Sequence, residues 1–171
     1  TVYRGVECCG VKLGGLTAQE AEAALRSRFG DEMAPGKIKL DLAGNEREIF
    51  TDEFGAVYSF EKTAEEAMAY GRNGSFFKRC GDAVAALFKG YNLPVSFTAD
   101  DEKLLSCVEK MLEGTGTPVT EYSFSVRDGK LFVKNGTPGD MPDSEEIMDG
   151  IKKAAGERKF DDTLKFSKKT R

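Results

Sequence analysis

Histidine and tryptophan are both missing from the 171 residues. The first absence has a chemical consequence. Ser-His-Asp and Cys-His nucleophilic systems need an imidazole to take the proton, and this chain has none. Zinc sites with histidine ligands are excluded on the same ground. No run of about 18 apolar residues occurs, so no segment reads as a membrane span, and no signal-peptide core is visible. Nor is there an excess of positive charge. The net charge of −4 argues against a dedicated nucleic-acid binder, which would present a net basic face.

Cysteine is scarce, with four in the chain. Cys8 and Cys9 are adjacent and lack the C-x-x-C spacing that lets two thiolates grip one metal, because neighbours on a strand point to opposite faces. Cys107 falls in line with Leu104, Val108 and Met111 and reads as a buried thiol that packs as a small hydrophobe. Cys80 reads as part of the apolar face of its own helix. Four thiols suffice for two disulfides in an oxidising compartment, but no spacing demands them, and the redox state stays open.

What is present is a core and its punctuation. Hydrophobic residues make up 40% of the chain and aromatics 10%, enough to fill a packed interior. The length fits one domain over 1–171, or two subdomains over 1–70 and 71–171. Helix starts recur at Thr17-Ala-Gln-Glu20, Thr63-Ala-Glu-Glu66, Thr98-Ala-Asp-Asp101 and Asp143-Ser-Glu-Glu146. Each places a capping oxygen first and a carboxylate three residues later, the capping-box pattern or a near variant. In the third, Asp100 is an alternative cap. Apolar residues follow at helical spacing: Ala21, Leu25 and Phe29; Ala64, Ala67 and Met68; Leu104, Val108 and Leu112; Ile147, Ile151 and Ala155. A further helix is expected from Ser75 to Lys89, which brings the total to about five.

Between the helices the period switches to two. Lys37–Leu42 alternates, turns at Ala43-Gly44-Asn45 and returns through Thr51. Tyr122–Val126 alternates, turns at Asp128-Gly129 and returns through Lys134. Leu93–Phe97 and Val6–Leu13 are shorter strand candidates. The expected fold is therefore α+β, with antiparallel hairpins and sheets packed against the helices. An internal hairpin–link–helix repeat shows at 37–70 and 122–155.

Acidic pairs such as Asp100-Asp101, Asp52-Glu53 and Asp161-Asp162 read as caps and solvated faces. No metal loop and no catalytic constellation emerges, and no cofactor is called for. The stretch Ala69-Tyr-Gly-Arg-Asn-Gly-Ser-Phe-Phe77 is different in kind. Asn73-Gly74 closes one helix and Ser75 caps the next, as a plain corner requires. Geometry leaves Arg72 unexplained, since a plain corner needs no guanidinium. Arg72, Lys78 and Arg79 stand beside the free N–H groups of the second helix, an arrangement suited to a carboxylate or phosphate. The candidate ligand site is Arg72, Asn73, Gly74, Lys78 and Arg79.

With GVKLGGLTAQEAEAAL at 10–25 and AEEAMAYGRNGSFFKR at 64–79 in hand, the chain resembles a known family. It is similar to the peptidoglycan-binding domain found in VanW-like proteins and before L,D-transpeptidase domains in Gram-positive bacteria. A later hairpin–Gly–Asp–helix unit is matched by Gly139-Asp140 through Ile151, so the resemblance runs over residues 3–165. It implies a non-catalytic cell-wall module with peptidoglycan or its stem peptides as partner. It also implies an extracellular, surface-located protein, tethered by a membrane segment outside this chain and continuing into further domains. The family supplies no catalytic residues. The Cys8-Cys9 pair departs from the family pattern. A structural spacer that positions an adjacent VanW-like or transpeptidase domain is the alternative role.

Overall fold

A computed structural model describes residues 1–30, 32–70, 72, 90–116, 123–127, 130–134 and 140–170. Four helices stand among them: α1 (Ala18–Phe29), α2 (Phe60–Ala69), α3 (Asp101–Leu112) and α4 (Ser144–Glu157). The helix expected at 75–89 lies outside the described residues.

The clearest strand pattern makes the largest sheet. In β3 (Lys37–Leu42) every second residue is buried, which places Ile38, Leu40 and Leu42 on one face. The chain turns at Ala43-Gly44 and returns antiparallel as β4 (Asn45–Phe50), with Ile38 opposite Ile49. The other edge of β3 takes β11 (Thr163–Phe166) in parallel register, Leu40 beside Leu164. Onto this sheet pack Leu104, Val108 and Leu112 of α3 and Ile147, Ile151 and Ala155 of α4, closing one core around Phe54.

A second core lies under α1 and α2. Val6 and Cys8 of β1 (Val6–Cys8) meet Leu13, Ala21, Leu25, Phe60, Ala64 and Ala67 there. β1 pairs antiparallel with β2 (Val11–Lys12) and parallel with β6 (Tyr91–Asn92). The Gly14-Gly15 pair that follows β2 has two separate physical reasons. A Cβ on Gly14 would stand 2.9 Å from the Arg4 Cα and 3.0 Å from the Gly5 nitrogen, while Gly15 takes φ +89°. Smaller pairings complete the set: β5 (Val57–Tyr58) with β7 (Phe97–Thr98), β8 (Ser123–Arg127) with β9 (Lys130–Lys134), and β10 (Asp140–Met141) with β12 (Lys169–Thr170). In the β8–β9 ribbon Phe124 and Val126 are 68% and 69% exposed.

Several expectations need correcting. The sheets are mixed, because β1–β6 and β3–β11 run parallel. The internal hairpin–link–helix repeat is not established: α2 enters one core while β3–β4 enter the other, and the link at 135–139 lies outside the described residues. Both cores draw residues from either side of position 70. Leu93–Phe97 is not one strand; its ends pair with different partners and Leu93–Ser96 crosses between them. Cys107 is half-buried rather than sealed in.

The capping readings divide instructively. Thr17 forms the full capping box with Glu20, and Asp143 caps α4. Asp100, not Thr98, caps α3 through the Glu102 and Lys103 amides, and the Lys103 amide above all holds its carboxyl below the usual range. Thr63 is no cap. Ser59 caps α2, and Thr63 sits fully buried one turn inside, its hydroxyl donating to the Ser59 carbonyl at 2.6 Å and accepting from the Ser96 amide at 3.0 Å. The isosteric Thr63→Val leaves that half-buried amide without its acceptor. Urea unfolding should show a loss of about 1–3 kcal/mol; an unchanged midpoint would mean the amide had found another partner.

Candidate functional site

The crossing segment 93–97 forms the floor of a cleft. Its backbone is tied on both sides. Ser59 donates its amide to the Ser96 carbonyl at 2.8 Å, and Val95 donates to the Gly156 carbonyl at 2.7 Å. Gly156 lets α4 come this near, since a Cβ there would meet the Pro94 Cβ at 3.3 Å and the Phe97 ring at 3.6 Å. Val95 belongs to the core under α1 and α2, whereas Phe97 packs against the other. The floor therefore spans the seam between them.

Two helices wall the cleft. α2 presents Lys62 and Glu66, one turn apart, and α4 presents Lys152, Lys153 and Glu157. The space is about 510 Å³ and its lining includes Pro94, Val95 and Phe97, within the size range of small-ligand sites. Two of the five charges are committed: Lys152 to Asp101 at 2.8 Å and Glu157 to Lys159 at 2.8 Å. Lys62 and Lys153 make no ion pair among the described residues and face the cleft with Glu66. The Ser96 hydroxyl oxygen is buried in the floor with no hydrogen-bond partner among the described residues. Such a group makes a hydrogen bond whenever one is offered. Two uncommitted ammonium groups over an apolar floor suit a small anionic ligand carrying apolar substituents.

The sequence-predicted site fares differently. Arg72 is described and exposed; its amide donates to the Ala69 carbonyl at 3.0 Å, and its guanidinium donates to the Thr1 carbonyl at 2.6 Å. Asn73, Gly74, Lys78 and Arg79 lie outside the described residues. The cleft residues went unread in the sequence. Lys62, Lys152 and Lys153 stand on helices recognised by their apolar sides, and only the crossing of 93–97 brings them together. Lys152-Lys153, a dibasic pair next to a buried face, was the one available signal.

Among the described residues no cluster of three or more Cys, Asp or Glu side chains is placed to hold a metal. None of their helices is long and apolar enough to cross a membrane.

Comparison with known proteins gives one finding for this geometry. Residues 48–163 match the family model described as "Putative peptidoglycan binding domain". The match opens in β4 and closes at the first residue of β11. It takes in α2, the crossing segment, α3 and α4, and therefore every residue of the cleft. No curated protein and no solved structure matches the chain.

Proposed function

Since this chain belongs to the peptidoglycan-binding domain family, we propose that it is a non-catalytic module of a Gram-positive cell-surface protein and that the α2–α4 cleft is where it holds peptidoglycan. The single observation behind the choice of site is the pair of uncommitted lysines over the apolar floor. Stem peptides carry free carboxylates and small alkyl side chains. Lys62 and Lys153 meet the first, and Val95, Pro94 and Phe97 the second.

The test is titration with purified sacculi and soluble muropeptides. The double reversal Lys62→Glu/Lys153→Glu should weaken binding by at least about tenfold, roughly 1.4 kcal/mol, and added salt should weaken the parent in the same direction. Arg72→Ala is the companion variant. If it abolishes binding while the lysine reversal does not, the ligand sits at the 72–79 corner instead. Absence of saturable binding by the parent chain sinks both assignments.

One observation favours a second reading, the spacer that positions an adjacent VanW-like or L,D-transpeptidase domain. The Arg72 guanidinium is engaged on the Thr1 carbonyl, as a structural arginine would be. Under that reading the cleft lysines are solvated charges and the titration is silent.

A further inference from the structure

Glu66 is a charge of the cleft that a purely anionic ligand leaves unused. It stands in the last turn of α2, where its carbonyl accepts the Tyr70 amide at 2.9 Å. A carboxylate there faces the negative end of the helix dipole, a place that favours cations. α2 has no basic residue in that turn. The other wall repeats the arrangement. Glu157 closes α4, whose last turn also lacks a basic residue, and it takes Lys159 as its partner at 2.8 Å. Glu66 is exposed and makes no ion pair among the described residues.

Neutralisation within each wall is the plain alternative, because Lys62 and Glu66, like Lys153 and Glu157, are four residues apart and share a helix face. The order of the charges works against it. A glutamate one turn ahead of its cation pairs well, and a lysine one turn ahead of its glutamate pairs less well. Both cases occur in this molecule. Glu22 and Arg26 of α1, in the favourable order, close at 2.9 Å. Neither wall of the cleft closes its pair: Glu157 goes to Lys159, and Lys62, Lys153 and Glu66 stay apart. The cleft thus offers separated charges of both signs above the apolar strip of Pro94, Val95 and Phe97. A carboxylate alone satisfies the lysines but brings further negative charge into the space that Glu66 lines. A ligand with both a carboxylate and an ammonium satisfies all three.

We propose that the α2–α4 cleft takes a dipolar peptide, with Lys62 and Lys153 on its carboxylate and Glu66 on a free ammonium. The proposal rests on the reading of this cleft as the peptidoglycan site and narrows it to one chemical form of the ligand. Besides its carboxylates, a stem peptide bears an amine on its diamino acid, protonated at neutral pH as a lysine amine is. Acylation of that amine, as in a cross-link, turns it into a neutral amide and leaves Glu66 without a cation. The cleft therefore selects open stems over those that have accepted a cross-link.

Titration calorimetry of the full chain separates the outcomes. The probes are single-stem muropeptides in three forms: untreated, with the amine acetylated, and with the carboxylates amidated. Acetylation should weaken binding to the parent chain by about tenfold or more, and Glu66→Gln should weaken binding of the untreated form by about the same factor. In Glu66→Gln the acetylated and untreated forms should bind alike, which a general loss of helix stability would not produce. Circular dichroism checks that this surface variant keeps the parent's fold. If the parent binds acetylated and untreated forms equally while amidation costs binding, the lysine site stands and the role given to Glu66 is wrong. If Glu66→Gln still separates the two forms as the parent does, the ammonium lies elsewhere and the proposal falls. No saturable binding of any form overturns the cleft reading and this inference together.

Discussion

A fragment trimmed to residues 48–163, the span that the family match covers, is expected not to fold. The cut removes β3 whole and leaves β11 a single residue, so the sheet under α3 and α4 loses Ile38, Leu40 and Leu42. It also removes β1, β2 and α1, and with them Val2, Val6, Leu13 and Leu25, the cover over Phe60, Ala64 and Ala67. Burying a Val, Leu or Ile side chain contributes roughly 1.5–3 kcal/mol. A domain's net stability is only about 5–15 kcal/mol. Loss of several such residues from both cores exceeds that margin. Circular dichroism and thermal melting of the fragment beside the full chain decide the matter. A cooperative transition in the fragment near the parent's temperature would show that the cores are far less dependent on residues 1–47 than their packing implies.

Phe54→Ala should be the most damaging single substitution away from the cleft. Phe54 follows β4 in a turn, is fully buried, and its carbonyl accepts the Asp100 amide at 3.0 Å, which fixes the start of α3. It belongs to the same buried cluster as Ile49, Leu104 and Ile151. Truncation to Ala removes the ring and leaves a cavity, at a cost of about 3–5 kcal/mol. For a chain of this size that corresponds to a fall in melting temperature of roughly 10 °C. Phe54→Leu, which keeps most of the volume, should cost much less. A loss below about 1 kcal/mol for the Ala variant would mean the site collapses around the gap. If the cleft is the binding site proposed above, peptidoglycan binding by the surviving folded fraction should be unchanged, since Phe54 does not line it.

How far the fold could be read from residues alone depended on whether the signal was local. Ile38, Leu40 and Leu42 alternate with Lys37, Lys39 and Asp41 and needed no partner to be assigned. Ile147, Ile151 and Ala155 did the same for α4 at helical spacing. Thr63 misled because Thr-x-x-Glu marks a helix start only when the threonine is outside the helix; here Ser59 took the cap and Thr63 served the crossing segment. The parallel pairs were invisible for a different reason. β3 meets β11 and β1 meets β6 across long separations, and nothing in either strand's pattern encodes its distant partner. The cleft followed that topology. Its lysines are ordinary helix-surface residues until the chain from Leu93 to Phe97 passes between them. At the 10–25 segment the sequence resemblance reached further than the family match, which begins at residue 48. The glycines that carried it have roles in close approach and in backbone turn at Gly14 and Gly15.

The crossing segment also decides how the molecule comes apart. Val95 is anchored in one core and Phe97 in the other, and the backbone between them is bonded to both α2 and α4. Neither half can open without tearing the strip that floors the cleft. The two hydrophobic centres are thereby joined into one cooperative unit. Anything seated on that strip adds its binding energy to the stability of both halves at once.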